Sequence, residues 1–304
     1  MFRYQRLRLP VETLRTMWVL TLSANEWGGR LQPRVQDGVC VLSVQDTALI
    51  RGTSLEVHAD AAHYSGNDPR TVVRVASTPF DAEVRGYMPM CDSPATINMI
   101  FHSHALHMGR SAVLAPPSMG DYFAHCILSN FCNATLHGQL NTTVVMAYEG
   151  LYVYTITPEA YGRYAARIRA LMDGRAQTAL ERARYAKGEL PHDVVELLKA
   201  EFFNAVRPSY EAFLREAAAL TRRLDMGTAG APTLNDMLWA CYGCLPPVPL
   251  AFGFHRTMQL EPVRRFLADQ NPYLRGLRAH GFDYSFYPAP FTGAVELLTP
   301  CRIV

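Results

Sequence analysis

Ile97-Asn98-Met99-Ile100-Phe101-His102-Ser103-His104 is an apolar run, interrupted only by Asn98, that ends in two histidines one residue apart. Its length and composition predict a buried strand. Residues two apart on an extended chain share a face, so the His102 and His104 rings project together from the strand end. Downstream, Pro117-Ser118-Met119-Gly120-Asp121 brings a carboxylate after a Pro-Ser turn. Two imidazoles and a carboxylate are what a three-ligand zinc centre needs, with the fourth position kept for water. Each half of the pattern also has an ordinary reading. The histidines could be a half-exposed pair in a turn. Ser118-x-x-Asp121 before an apolar run is also a capping box. The readings are compatible, because a serine at a helix's first turn is placed to aid a developing oxyanion.

Outward from this stretch, the chain reads as α/β of the α+β kind over its first half. Helical spacing runs from Pro10 to about Ser23, through Leu14, Met17, Trp18 and Leu22, and Asn25-Glu26-Trp27-Gly28-Gly29 ends it. Strand-like stretches follow at 38–44, 71–76 and 82–88, with a polar, turn-rich segment at 45–69. His102 to Pro117 reads as a loop. A helix is expected from Ser118 to about Cys132, with Phe123, Ile127, Leu128 and Phe131 as its apolar stripe. Strands at 142–148 and 151–156 flank Glu149-Gly150, a hairpin signal. This gives a sheet packed on two helices over 1–156.

Thr157-Pro158-Glu159 is a helix start, with an N-cap, an early proline and an acid. Helices are expected over about 157–172, 175–187, 192–206 and 208–224, making 157–226 a helical region. Gly227 to Pro232 reads as a linker. The remainder, 227–304, is rich in proline and aromatics, with a short helix near 261–269 and little other regular signal.

Composition fits a soluble globular protein: 304 residues, 49% hydrophobic, 18% charged, net charge +2. The near-neutral charge does not call for nucleic acid. The seven cysteines are scattered, which argues against a disulfide framework. Cys241-Tyr242-Gly243-Cys244 stands alone, and a structural zinc there would need two more ligands, with His255 the near candidate. Sequons at Asn133 and Asn141 mean little without a secretory signal. No apolar run approaches a membrane span, so an intracellular, soluble protein is expected.

A hydrolytic metal centre also needs a carboxylate to move the proton of water. Glu26, Glu56 and Glu83 lie upstream. Glu26 sits where the first helix gives way to a strand, before Gly28-Gly29, which would let other backbone come close.

Glu26-Trp27-Gly28-Gly29, then His102-Ser103-His104, then Ser118-Met119-Gly120-Asp121 together resemble the JAMM (MPN+) zinc metallopeptidases. The resemblance covers about residues 8–156 and is greatest to the JAB-type proteins of large DNA viruses. It implies an MPN-like curved β-sheet flanked by helices, with His102, His104 and Asp121 on Zn²⁺. It also implies Glu26 as general acid/base and Ser118 as oxyanion donor. The expected substrate is a peptide or isopeptide bond, often to ubiquitin or a ubiquitin-like tail, and the expected place is the host cytoplasm or a virion. Three features depart from the family. The thirteen-residue spacer 105–117 is long, Ala105 replaces a usual proline, and the interval from Glu26 to His102 must hold insertions. Two other readings remain. One is a catalytically silent MPN-like scaffold in a virion or larger assembly. The other is a nucleic-acid contact through the helical arginines Arg163, Arg167, Arg169, Arg175, Arg182 and Arg184.

Overall fold

The computed structural model describes residues 2–21, 27–36, 39–44, 50–51, 98–104, 116–126, 140–186, 190–223 and 261–302. These hold one mixed sheet. Its strands are β1 (Phe2–Leu9), β2 (Trp27–Gln36), β3 (Val39–Val44), β4 (Ile50–Arg51), β5 (Asn98–Ser103), β6 (Leu140–Ala147), β7 (Gly150–Ile156), β8 (Phe282–Pro288) and β9 (Val295–Arg302). They run in the order β8-β7-β6-β5-β2-β3-β1-β9, with β4 beside β2. The β5–β6 and β1–β3 pairs are parallel and the others antiparallel. The sheet curls until its end strands meet, where the Tyr287 hydroxyl of β8 donates to the Glu296 carbonyl of β9 at 3.3 Å.

Helix α1 (Val11–Leu20) packs on β3, β5 and β6. Leu14, Met17 and Trp18 are its fully buried stripe. The Trp18 indole donates to the Tyr148 carbonyl at 2.8 Å, so its one polar atom is satisfied inside the core. Helix α2 (119–126) lies in the crossover between the parallel strands β5 and β6. Register sets His102 beside Val145, and Val145 beside Tyr152, so these side chains share a face. Tyr122 of α2 covers that face, 4.3 Å from the Tyr154 ring and 5.1 Å from Phe282. Strand β7 is buried along its whole length, as a strand covered on both faces must be.

Beyond the sheet, α3 (Pro158–Asp173) starts at Thr157, whose hydroxyl accepts from the Ala160 N–H as the sequence predicts. Helix α4 (Ala179–Ala186) follows. The two helices expected at 192–206 and 208–224 are one, α5 (His192–Arg223), running through Pro208. Proline removes one backbone donor, but continuous burial of Val206, Phe213 and Leu220 carries the helix across the gap.

The expectation of little regular structure in the tail does not hold over 261–302. The expected short helix is present as α6 (Glu261–Arg265), continuing as a π turn over Phe266–Gln270. Next comes α7 (Pro272–Ala279), capped by the Asn271 side chain, which accepts from the Tyr273 and Leu274 N–H groups. It packs on α5, with Tyr210 and Tyr273 rings 4.9 Å apart. Strand β8 then pairs with β7, and β9 with β1. The strand expected to follow Glu26 is present as β2, whereas β1 was not expected. In β1, Leu7 and Leu9 are buried while Arg6 and Arg8 face out, a period-two pattern shortened by the arginines. Among the described residues, no helix is long and apolar enough to cross a membrane. The strands expected at 71–76 and 82–88, the loop at 105–115, the Asn133 sequon, the 227–232 linker and the Cys241–Cys244 pair lie outside the described residues.

Candidate metal centre

His102 is the last but one residue of β5 and His104 directly follows the strand, its N–H donating to the Met146 carbonyl at 2.9 Å. That bond extends the β5–β6 ladder by one step and keeps both rings on the α2 face. Asp121 stands in the first turn of α2, directly over them. The His102 and His104 Nε2 atoms are 3.2 Å apart. Asp121 Oδ1 is 3.2 Å from His102 Nε2, and its Oδ2 is 3.3 Å from His104 Nε2. Two atoms bound to one tetrahedral zinc at about 2.0–2.1 Å would lie about 3.3–3.4 Å from each other. The group therefore has the donor types and the spacing of a three-ligand site, and could hold a metal ion. His104 and Asp121 are buried and His102 is half-buried, which leaves the group reachable from one side.

Electrostatics favours the ionised carboxylate. Burial pushes the Asp121 carboxyl upward, but the opposing pull of His102 and then His104 outweighs it and holds the group well below the usual carboxylate range. The Ser118 N–H adds a charge-assisted bond to Asp121 Oδ2 at 2.6 Å. In return, the Asp121 N–H donates to Ser118 Oγ at 3.2 Å. The capping box read from the sequence is thus formed, and it orients Asp121 toward the histidines. Oδ2 is held by the cap, leaving Oδ1 less engaged. Ser118 Oγ accepts within the cap and keeps its own hydrogen to donate elsewhere.

The structure brings His102, His104, Ser118 and Asp121 together. Glu26, Glu56 and Glu83 lie outside the described residues. The residue after Glu26 is fixed beside the histidines, since the Trp27 N–H donates to Ser103 Oγ at 3.0 Å. Gly28 pairs with His102. A Cβ at Gly28 would lie 3.4 Å from the Phe101 carbonyl and 3.6 Å from His102 Cβ, which is ordinary contact, so space alone does not demand glycine there.

Sequence reasoning did not single out His125, one turn further along α2. Its Nδ1 is 2.7 Å from Thr143 Oγ1, and its ring meets Tyr154 edge-on. Burial pushes its pKa down to about 3. The ring is therefore neutral and belongs to the core under the site. Spacing gave a signal, as His125 is four residues after Asp121 and hence near the same helix face.

No family model, no curated protein and no solved structure matches this chain.

Proposed function

We propose that this protein is a zinc-dependent peptidase or isopeptidase of the JAMM type, on an MPN-like domain, acting on a ubiquitin-like conjugate. The observation that carries the reading is the convergence of His102, His104 and Asp121 to near-tetrahedral spacing at a half-open position. Nitrogen and carboxylate donors in a set of three suit zinc. When bound, the ion supplies a Lewis acid that polarises a carbonyl and makes water acidic enough to ionise near neutrality. The chain's own residues supply the rest. Asp121 contributes negative charge that its cap keeps in place. The Ser118 hydroxyl donates to the carbonyl oxygen as charge builds on it. The Glu26 carboxylate takes a proton from water and returns it to the leaving amine.

A silent scaffold is the competing reading. It is favoured by the completeness of the Ser118–Asp121 cap, which accounts for those two residues with no catalysis. Cleavage of di-ubiquitin chains of each linkage by zinc-loaded protein separates the two. The enzyme reading expects turnover, abolished in Glu26→Gln with zinc retained. Failure of the zinc-loaded protein to cleave any linkage favours the scaffold.

A further inference from the structure

Between α3, α5 and the end of α7 lies a cleft of about 430 Å³, within the range of small-molecule sites, roughly 300–1,000 Å³. It sits toward the other end of α2 from Asp121, since its wall residue Tyr164 hydrogen-bonds with the Cys126 thiol. Its floor is apolar and rigid. Leu198 and Phe202 are buried, and the Phe202 ring is 6.1 Å from both Phe123 and Phe282. On one wall, Arg167 and Glu201 form a two-point ion pair and cancel each other's charge. Arg163 lines the same cleft and has no acidic partner within ion-pair distance among the described residues. Its guanidinium packs over Gly281, where Nη2 lies 3.0 Å from the position a Cβ would take. Gly281 has φ +93°, and the same Cβ would stand 2.2 Å from that of Ala160, so this wall admits only glycine. An uncompensated cation beside an apolar floor, on a rim it shares with His280, suits a molecule with an anionic head and an apolar body.

We propose that this cleft binds a small organic anion, with its carboxylate, sulfonate or phosphate on Arg163 and an aromatic or branched body against Phe202 and Leu198. The guanidinium supplies a planar pair of donors to the anionic head. The matching neutral molecule loses that contact and keeps only the floor.

The test is an NMR titration of the full chain with 4-phenylbutyrate and, in parallel, its neutral amide. The expected result is one site with a Kd of about 1 mM for the acid, a reasonable strength for so few atoms. The amide and the Arg163→Gln variant should each bind about tenfold more weakly. Ala205→Trp, at an exposed position of the cleft wall, should abolish binding while melting with the wild type. Glu201→Gln should bind more tightly, because it frees the Arg167 charge. Equal binding of acid and amide, undiminished binding by Arg163→Gln, or no binding by the wild-type protein would overturn the proposal.

Discussion

Acid should open the protein at the helix that carries Asp121, and His125 sets where this begins. Its ring is enclosed by Thr143 of β6, Tyr154 of β7 and Phe282 of β8. Its pKa falls from an ordinary 6.5 to about 3 by burial. The unfolded chain therefore binds one more proton than the folded chain between those values. Stability from this group is complete above pH 6.5 and is lost as pH falls toward 3. At about 1.4 kcal/mol per pH unit, the full loss is about 5 kcal/mol, of which about 2.7 kcal/mol falls between pH 6.5 and 4.5. The Asp121 carboxyl is also depressed, so its contribution disappears only as pH drops below the ordinary carboxylate range. That leaves the window above pH 4.5 to His125. The assay is urea unfolding at pH 7.5, 6.5, 5.5 and 4.5 with chelator present, so that metal release does not add protons of its own. His125→Phe keeps an aromatic ring against Tyr154 and removes the titrating group. Across the series, the wild type should lose about 2.7 kcal/mol more than this variant. Parallel loss in the two proteins would refute the assignment of His125 as a buried neutral ring.

Other substitutions test the cap, the carboxylate and the turns. Ser118→Ala removes the bond from the Asp121 N–H and should cost about 1 kcal/mol in urea unfolding; retained zinc with reduced turnover would separate its catalytic part from its cap. Asp121→Asn keeps an acceptor for the Ser118 N–H but loses the charge, so the fold should persist while zinc affinity falls more than about a hundredfold, read by competition with a chromophoric chelator. Gly281→Ala places a methyl on Ala160 at positive φ and should cost at least about 2 kcal/mol, seen as a lower Tm. Zinc at about a thousandfold excess over its Kd should stabilise the wild type by about 4 kcal/mol and leave His104→Ala unmoved, as followed by thermal melting.

The site was more legible than the fold around it. A two-residue period is enough to place His102 and His104 on one face, and a three-residue interval is enough to make the Ser118–Asp121 cap. Both are local rules, and both held. That the cap points Asp121 at the histidines depends on α2 crossing the sheet between β5 and β6, which no local pattern states. The tail was misread for a related reason. Phe282-Asp283-Tyr284-Ser285 alternates buried and exposed residues as a strand should, but proline and glycine on either side hid it. Its partner β7 lies more than a hundred residues earlier. Strand β1 is similar, since its partners are β3 and the last strand of the chain. Pro208 looked like a boundary because local propensity ends a helix there, and packing on α7 overrode it. Asn271-Pro272 is a helix start written in the local sequence, a capping residue before a proline.

The central claim is that three side chains converge to hold a metal. The most direct measurement is the metal content of the purified protein beside His102→Ala, by inductively coupled plasma mass spectrometry after gel filtration. The account predicts one equivalent of zinc in the wild type and none in the variant, with both proteins folded. A folded wild-type protein that takes up no zinc when dialysed against it would contradict the account.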